Sequence, residues 1–201
     1  MLKVGLTGSI AVGKTYVCKI FKELGCYVLD ADDTARQVVK PNTKGWKLIV
    51  ENFGEDILLS SKEIDRKKLG KIVFKDKVKR EVLNSIVHPL VKEEQVNWLQ
   101  KKEQHDPNGI AIIDAALMIE SRGYKMFEKI IVVYCDFDIQ LKRLMKRNQL
   151  SMADSVSRIK AQMAQEEKKK YADFVINTSN GFEAAENQTK EVYKELKKFL
   201  K

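Results

Sequence analysis

The sequence predicts a three-layer α/β fold built on a five-stranded parallel sheet. Five short apolar segments are nearly continuous rather than alternating, as strands covered on both faces are. Helical patterns separate them, and a strand–helix–strand rhythm implies parallel strands joined by right-handed crossovers. Between the first strand and the first helix lies a glycine-rich turn, Gly8-Ser9-Ile10-Ala11-Val12-Gly13-Lys14-Thr15.

Leu2-Lys3-Val4-Gly5-Leu6-Thr7 reads as the first strand, and a helix is expected from Lys14 to Leu24. Tyr27-Val28-Leu29 is a short second strand. A helix begins near Thr34, and Pro41-Asn42 breaks it and starts the next. Residues 31–105 read as almost all helix. His88-Pro89 interrupts an apolar pattern running from Val78 to Leu99. Proline suits a first helical turn and the residue before it avoids helical geometry, so His88 is expected at a joint between two helices. An insert of this length is either a subdomain that holds an acceptor substrate or an ordinary helical cap. Ile110-Ala111-Ile112-Ile113 is the third strand. Lys129 to Tyr134, with four consecutive β-branched residues, is the fourth, and Phe174-Val175-Ile176 is the fifth. Asp138 to Lys170 is helical and basic, with Arg143 and Arg147 on one face and Leu141, Leu144 and Met145 on another. Glu183 to Lys201 reads as an amphipathic helix with a lysine-rich end.

The 201 residues suit one domain, 1–201, with a possible insert. A 44% hydrophobic and 32% charged composition excludes a wholly disordered chain. Cys18, Cys26 and Cys135 are odd in number and widely spaced, which excludes a disulfide framework and fits a reducing cytosol. The run Val4 to Gly13 superficially resembles a signal peptide, but its glycines make a strand and turn the better reading. No apolar stretch has the length of a membrane span. The expected location is the cytoplasm, with no membrane partner. The net charge of +9 suits nucleic acid, an anionic surface, a phosphorylated substrate or simply a lysine-rich exterior. The basic residues are interspersed with acidic ones, which disfavours nucleic acid.

The glycine-rich turn matches the phosphate-binding pattern G-x-x-x-x-G-K-[ST] in its proper strand-to-helix setting, a P-loop. Gly8 and Gly13 allow close approach of backbone to phosphate. Successive N–H groups and the positive end of the following helix bind oxyanions. Lys14 reaches the β- and γ-phosphates, and the Thr15 hydroxyl suits Mg²⁺, a hard cation. Asp30-Ala31-Asp32-Asp33 follows the second strand, at the carboxyl edge where open α/β sheets bind ligands. A carboxylate there can take a proton from an attacking hydroxyl, assist Mg²⁺ through water, or cap the next helix. Asp114 ends the third strand, where it can meet Mg²⁺ or substrate, or cap the strand. Arg143, Arg147 and Arg158 are candidates to clamp a phosphate in transfer. No Asn-Lys-x-Asp motif marks a GTPase, and two histidines with no nucleophile elbow support no Ser-His-Asp triad.

Nearly the whole chain resembles the dephospho-CoA kinase family. The resemblance runs through Gly5-Leu6-Thr7-Gly8 to Thr15, Leu29-Asp30-Ala31-Asp32 with Ala35-Arg36, and Pro41, then Phe53-Gly54. It continues through Ile64-Asp65-Arg66-Lys67-Lys68-Leu69, Val73-Phe74 and Leu83-Asn84-Ser85-Ile86-Val87-His88-Pro89. It ends with Arg158-Ile159 and Gln162, Glu167-Lys168, and Ala172-Asp173-Phe174-Val175-Ile176-Asn177. The resemblance implies a P-loop NTPase fold whose helical acceptor insert spans 31–105 and whose helical lid spans 138–170. It implies transfer of phosphate from ATP to the ribose 3′-hydroxyl of dephospho-CoA, the last step of coenzyme A synthesis, with Mg²⁺ bound at Thr15. Carried over, Asp32, Lys14 and Arg147 are catalytic. Gly8, Ala11, Val12, Gly13, Lys14, Thr15, Tyr16, Arg143 and Asn177 bind ATP. Thr7, Asp32, His88 and Asp114 bind the acceptor. The chain departs from the family at Ser9, Ala11 and Val12 in the loop, at Thr15 in place of the commoner serine, at Lys92 where arginine is usual, and at Asp114-Ala115-Ala116-Leu117-Met118.

Overall fold

The computed structural model describes residues 1–200. The chain runs β1 (Leu2–Thr7), α1 (Lys14–Glu23), β2 (Tyr27–Asp30), α2 (Ala31–Gln37), α3 (Lys44–Phe53), α4 (Arg66–Lys75) and α5 (Lys77–His105). It continues with β3 (Ile110–Asp114), β4 (Lys129–Tyr134), α6 (Phe137–Asn148), α7 (Met152–Lys160), α8 (Gln165–Lys169), β5 (Phe174–Asn177) and α9 (Gly181–Lys197). Two compact units result. One comprises Met1–Asp30 and the chain from Leu99 onward; the other is Ala31–Trp98.

The first unit holds the sheet. Its five strands lie in the order β2-β3-β1-β4-β5, every pair parallel, as the apolar runs predict. Side chains alternate between faces along each strand. On one face Val4, Leu6, Ile112, Ile131 and Val133 pack against Val17, Cys18 and Phe21 of α1 and Val192 and Leu196 of α9. On the other, Ile130 and Val132 meet Met118 and Ile119 from the segment after β3. Burial of side chains such as Phe21 and Leu6 contributes ~1.5–3 kcal/mol each, and both are fully buried. The register places Asp30 opposite Asp114, and Asp114 opposite Leu6, so β1, β2 and β3 end at one carboxyl edge.

In the second unit Ile49, Ile57, Ile64 and Leu69 form a core of their own, with Trp46, Leu83, Ile86 and Val87 packed against it. The Thr43 hydroxyl caps α3 by accepting from the Trp46 N–H, and Asp65 caps α4 through the Lys67 and Lys68 N–H groups. Each such cap contributes ~1 kcal/mol. The break at Pro41-Asn42 falls between α2 and α3, with Asn42 at φ 70°.

Three sequence expectations change. His88 lies inside a helix, not at a joint, because α5 continues through Pro89. An interior proline loses one helical hydrogen bond at a cost of ~3 kcal/mol. Leu83, Ile86 and Val87, packed on the core one turn earlier, and buried Gln95 and Leu99 beyond hold the helix on course. The second helix starts at Ala31 rather than near Thr34, which puts Asp32 and Asp33 in its first turn, where acidic side chains suit the helix dipole. The last helix starts earlier than Glu183, at Gly181, and ends at Lys197. No helix among the described residues is long and apolar enough to cross a membrane.

Candidate active site

The site grows from the carboxyl end of β1. Gly8 is buried so tightly that a Cβ there would run into the Val133 carbonyl. Ala11 takes φ 60° and Gly13 takes φ 93°, and Gly13 then caps α1. Left-handed residues within such a turn bring successive N–H groups into one concavity that favours anions. Among the described residues no protein acceptor meets the N–H groups of Ala11, Val12 or Gly13. The Thr15 hydroxyl is exposed at the first turn of α1. The loop can therefore bind a polyphosphate at the start of a helix.

Lys14 turns toward the strand edge, its Nζ 2.9 Å from Oδ1 of Asp114. The two side chains are 15% and 12% exposed, so the ammonium is held in place rather than dispersed in solvent. The Cys18 thiol donates to Oδ2 of Asp114 at 3.5 Å, and burial foremost, then the Asp114 charge, pushes its pKa up. Thr7, at the end of β1, is fully buried and donates to the Ala116 carbonyl at 3.2 Å. Lys168 of α8 donates to the same carbonyl at 2.8 Å and pairs with Glu120 at 2.8 Å. Burial pushes the Lys168 pKa down, and Lys14 acts in the same direction while Glu120 opposes it. Tyr16 stacks edge-on with Phe182 and donates to Glu186 at 3.4 Å; partial desolvation and that carboxylate raise its pKa.

Arg143 places both arms of its guanidinium on Thr178, at 2.8 Å to Oγ1 and 2.8 Å to the carbonyl. Thr178 Oγ1 donates in turn to the Val12 carbonyl at 2.7 Å, so Arg143 reaches the P-loop through one intermediary. Asn177, beside it, accepts the Ser179 N–H on its side chain, and its backbone is bound by Gln188. Arg147 lies on the exposed face of α6 with its Nε on Asn148, and Arg158 is exposed on α7.

Asp32 and His88 belong to the second unit. Asp32 is exposed in the first turn of α2, and His88 is exposed on α5. This unit contains a cavity of about 360 Å³. Arg36, Lys40, Arg66 and Glu63 line it together with apolar side chains that include Ile49, Ile64 and Leu69. Three cations against one carboxylate, beside apolar side chains, suit an acceptor with anionic and hydrocarbon parts. His88 does not line it.

The model of the dephospho-CoA kinase family, CoaE, matches residues 2–184. The chain belongs to the dephospho-CoA kinase family. It is 44% identical over 200 residues to a dephospho-CoA kinase of Listeria monocytogenes, covering 98% of this chain and 97% of that one. A solved dephospho-CoA kinase from Campylobacter jejuni superposes with a TM-score of 0.74 at 31% identity, over 98% of this chain and 97% of its own. The Thermus thermophilus protein TT1252 superposes with a TM-score of 0.82 at 26% identity, over 97% of each chain. The fold, the P-loop and the kinase chemistry of this ATP-using family agree with one another.

Sequence reading missed Thr178, Gln140 and Gln165, which hold the P-loop and its neighbouring strand end. Neither their types nor their spacing carries a signal, since they lie more than 120 residues from the loop they serve. Gln162 and Lys168 carry one only as parts of the family resemblance.

Proposed function

We propose that the protein transfers the γ-phosphoryl group of ATP to the ribose 3′-hydroxyl of dephospho-CoA. The observation that supports this most is the open row of N–H groups at Ala11, Val12 and Gly13, beside Lys14 at the strand edge, in a chain of this family. The acceptor hydroxyl oxygen forms the new P–O bond, and the bond to the β,γ-bridging oxygen breaks to release ADP. The hydroxyl proton passes to Asp32, two residues past the end of β2. Because the transition state is loose, orientation by Asp32 matters more than its basicity. Lys14 moves from Asp114 to the β- and γ-phosphates, and Gly8, Gly13 and Tyr16 shape the ATP site around them. Mg²⁺ fits the oxygen donors Thr15 and Asp114, since it usually takes one or two protein oxygens and the rest from phosphate and water. When bound, it neutralises charge on the phosphates.

The 138–170 region serves as the lid. Arg143 anchors it to Thr178, and Arg147 swings in from solvent to the transferring phosphate. Asn177 borders the adenine. Thr7, His88 and Asp114 serve the acceptor side, and Arg36, Lys40 and Arg66 receive the acceptor's phosphates at the cavity of the 31–105 insert. The test is ADP release from Mg-ATP with dephospho-CoA, AMP, CMP, phosphopantetheine or no acceptor. Stimulation by dephospho-CoA alone, with a product of coenzyme A mass, is expected. Stimulation by a nucleoside monophosphate alone would overturn the acceptor assignment.

A further inference from the structure

Ile10 stands at the tip of the P-loop, and side chains grip its backbone on both sides. Its N–H donates to Oε1 of Gln162 at 2.7 Å. Its carbonyl accepts from Nε2 of Gln140 at 2.8 Å. Gln140 is fully buried in α6. Its Oε1 accepts from Gln165 at 3.0 Å, which leaves the Nε2 end of the amide facing Ile10. Gln165 is itself fixed by two bonds of 3.0 Å to the backbone of Cys135, just past β4. The grip is thus built on the sheet.

The Ile10 carbonyl and the Ala11 N–H share one peptide plane and point in opposite directions. Holding the carbonyl on Gln140 therefore aims the Ala11 N–H the other way. Ala11 is left-handed at φ 60°, a geometry unfavourable for any residue with a Cβ. Unsupported, this peptide would rotate; hydrogen bonds on Ile10 offset that tendency. We propose that Gln140 and Gln162 are positioning residues for the ATP site, clamping Ile10 so that the Ala11 N–H faces the phosphate cradle before ATP arrives. The proposal rests on the P-loop being the ATP site. Gln162 lies between α7 and α8, so the clamp also ties that segment to the loop it would cover.

The test uses the full chain with Gln162→Met, which keeps the length of a half-buried side chain and removes its acceptor. Loss of one hydrogen bond is expected to raise KM and Kd for ATP about three- to tenfold, with kcat within about twofold. KM for dephospho-CoA stays unchanged, and Gln140→Met gives the same split. In the unsubstituted protein without nucleotide, the Ile10 amide exchanges with deuterium more slowly than the Ala11 amide by NMR. An unchanged KM for ATP in a folded Gln162→Met variant overturns the proposal, as does a fall in kcat matching the rise in KM. If neither variant folds, the exchange measurement decides: equal rates at Ile10 and Ala11 overturn the clamp. If the unsubstituted protein binds no ATP, the ATP-site reading itself fails and takes the proposal with it. That outcome is distinct from an active protein whose variant behaves identically.

Discussion

Lys168→Met tests the packing behind the site. The Lys168 side chain is fully buried, donates to the Ala116 carbonyl at 2.8 Å and pairs with Glu120 at 2.8 Å. Methionine keeps most of its volume and none of its charge. The lost charge-assisted bond to Ala116 costs ~1.5–3 kcal/mol. Breaking a buried ion pair costs ~3–5 kcal/mol because a charge is stranded. Glu120 is 24% exposed, so water recovers part of that penalty. The expected loss is about 3 kcal/mol. For a chain of this size, that lowers Tm by about 6–12 °C. Urea and thermal unfolding followed by circular dichroism at pH 7 measure it. Lys168→Met/Glu120→Gln removes the stranded carboxylate and is expected to regain about 1 kcal/mol. A loss below about 1 kcal/mol for the single variant, or no recovery in the double, would refute this account of a tightly desolvated pair.

Lys14→Ala and Asp32→Asn are each expected to lower kcat about 10²–10⁴-fold with an unchanged far-ultraviolet spectrum; near-normal turnover of Asp32→Asn would remove its assigned role. Gly8→Ala drives a Cβ into the Val133 carbonyl. It is expected to cost about 1–3 kcal/mol and to weaken ATP binding, as unfolding and nucleotide titration would reveal. Burial raises the pKa of Cys18, Cys26 and Cys135, that of Cys26 from 9.0 to about 12. A thiol that holds its proton more tightly when folded gives its full stabilisation below the unfolded pKa and loses it as pH rises toward the folded one. The urea midpoint should therefore stay level to pH 8 and fall above pH 9. At pH 8 the native thiols should resist iodoacetamide, and alkylation of any of them at the rate of a free thiol would contradict their burial.

What the sequence made legible follows from local physics. Ile130-Ile131-Val132-Val133 can serve only a strand covered on both sides, and the Gly8–Thr15 spacing encodes its own backbone geometry. Pro89 misled because its local preference is real, yet core contacts of Leu83, Ile86 and Val87 override it. Asp114 is legible as the end of a strand, but nothing in the sequence announces its 2.9 Å contact with Lys14. Beyond the place of Gln162 in the family resemblance, the glutamine grip is illegible, since glutamines bind any peptide group that tertiary structure brings them.

The strand order has a consequence for how the chain acquires its site. β1 is central, and its two neighbours, β3 and β4, begin only at Ile110 and Lys129. The P-loop's outer supports come later still, from Gln140, Gln162 and Thr178. The phosphate-binding loop closes at Thr15, but no nascent chain that stops short of Thr178 contains everything that holds it. Contacts of such wide separation slow folding. The emerging polypeptide thus carries its nucleotide motif well before it gains the complete frame for it.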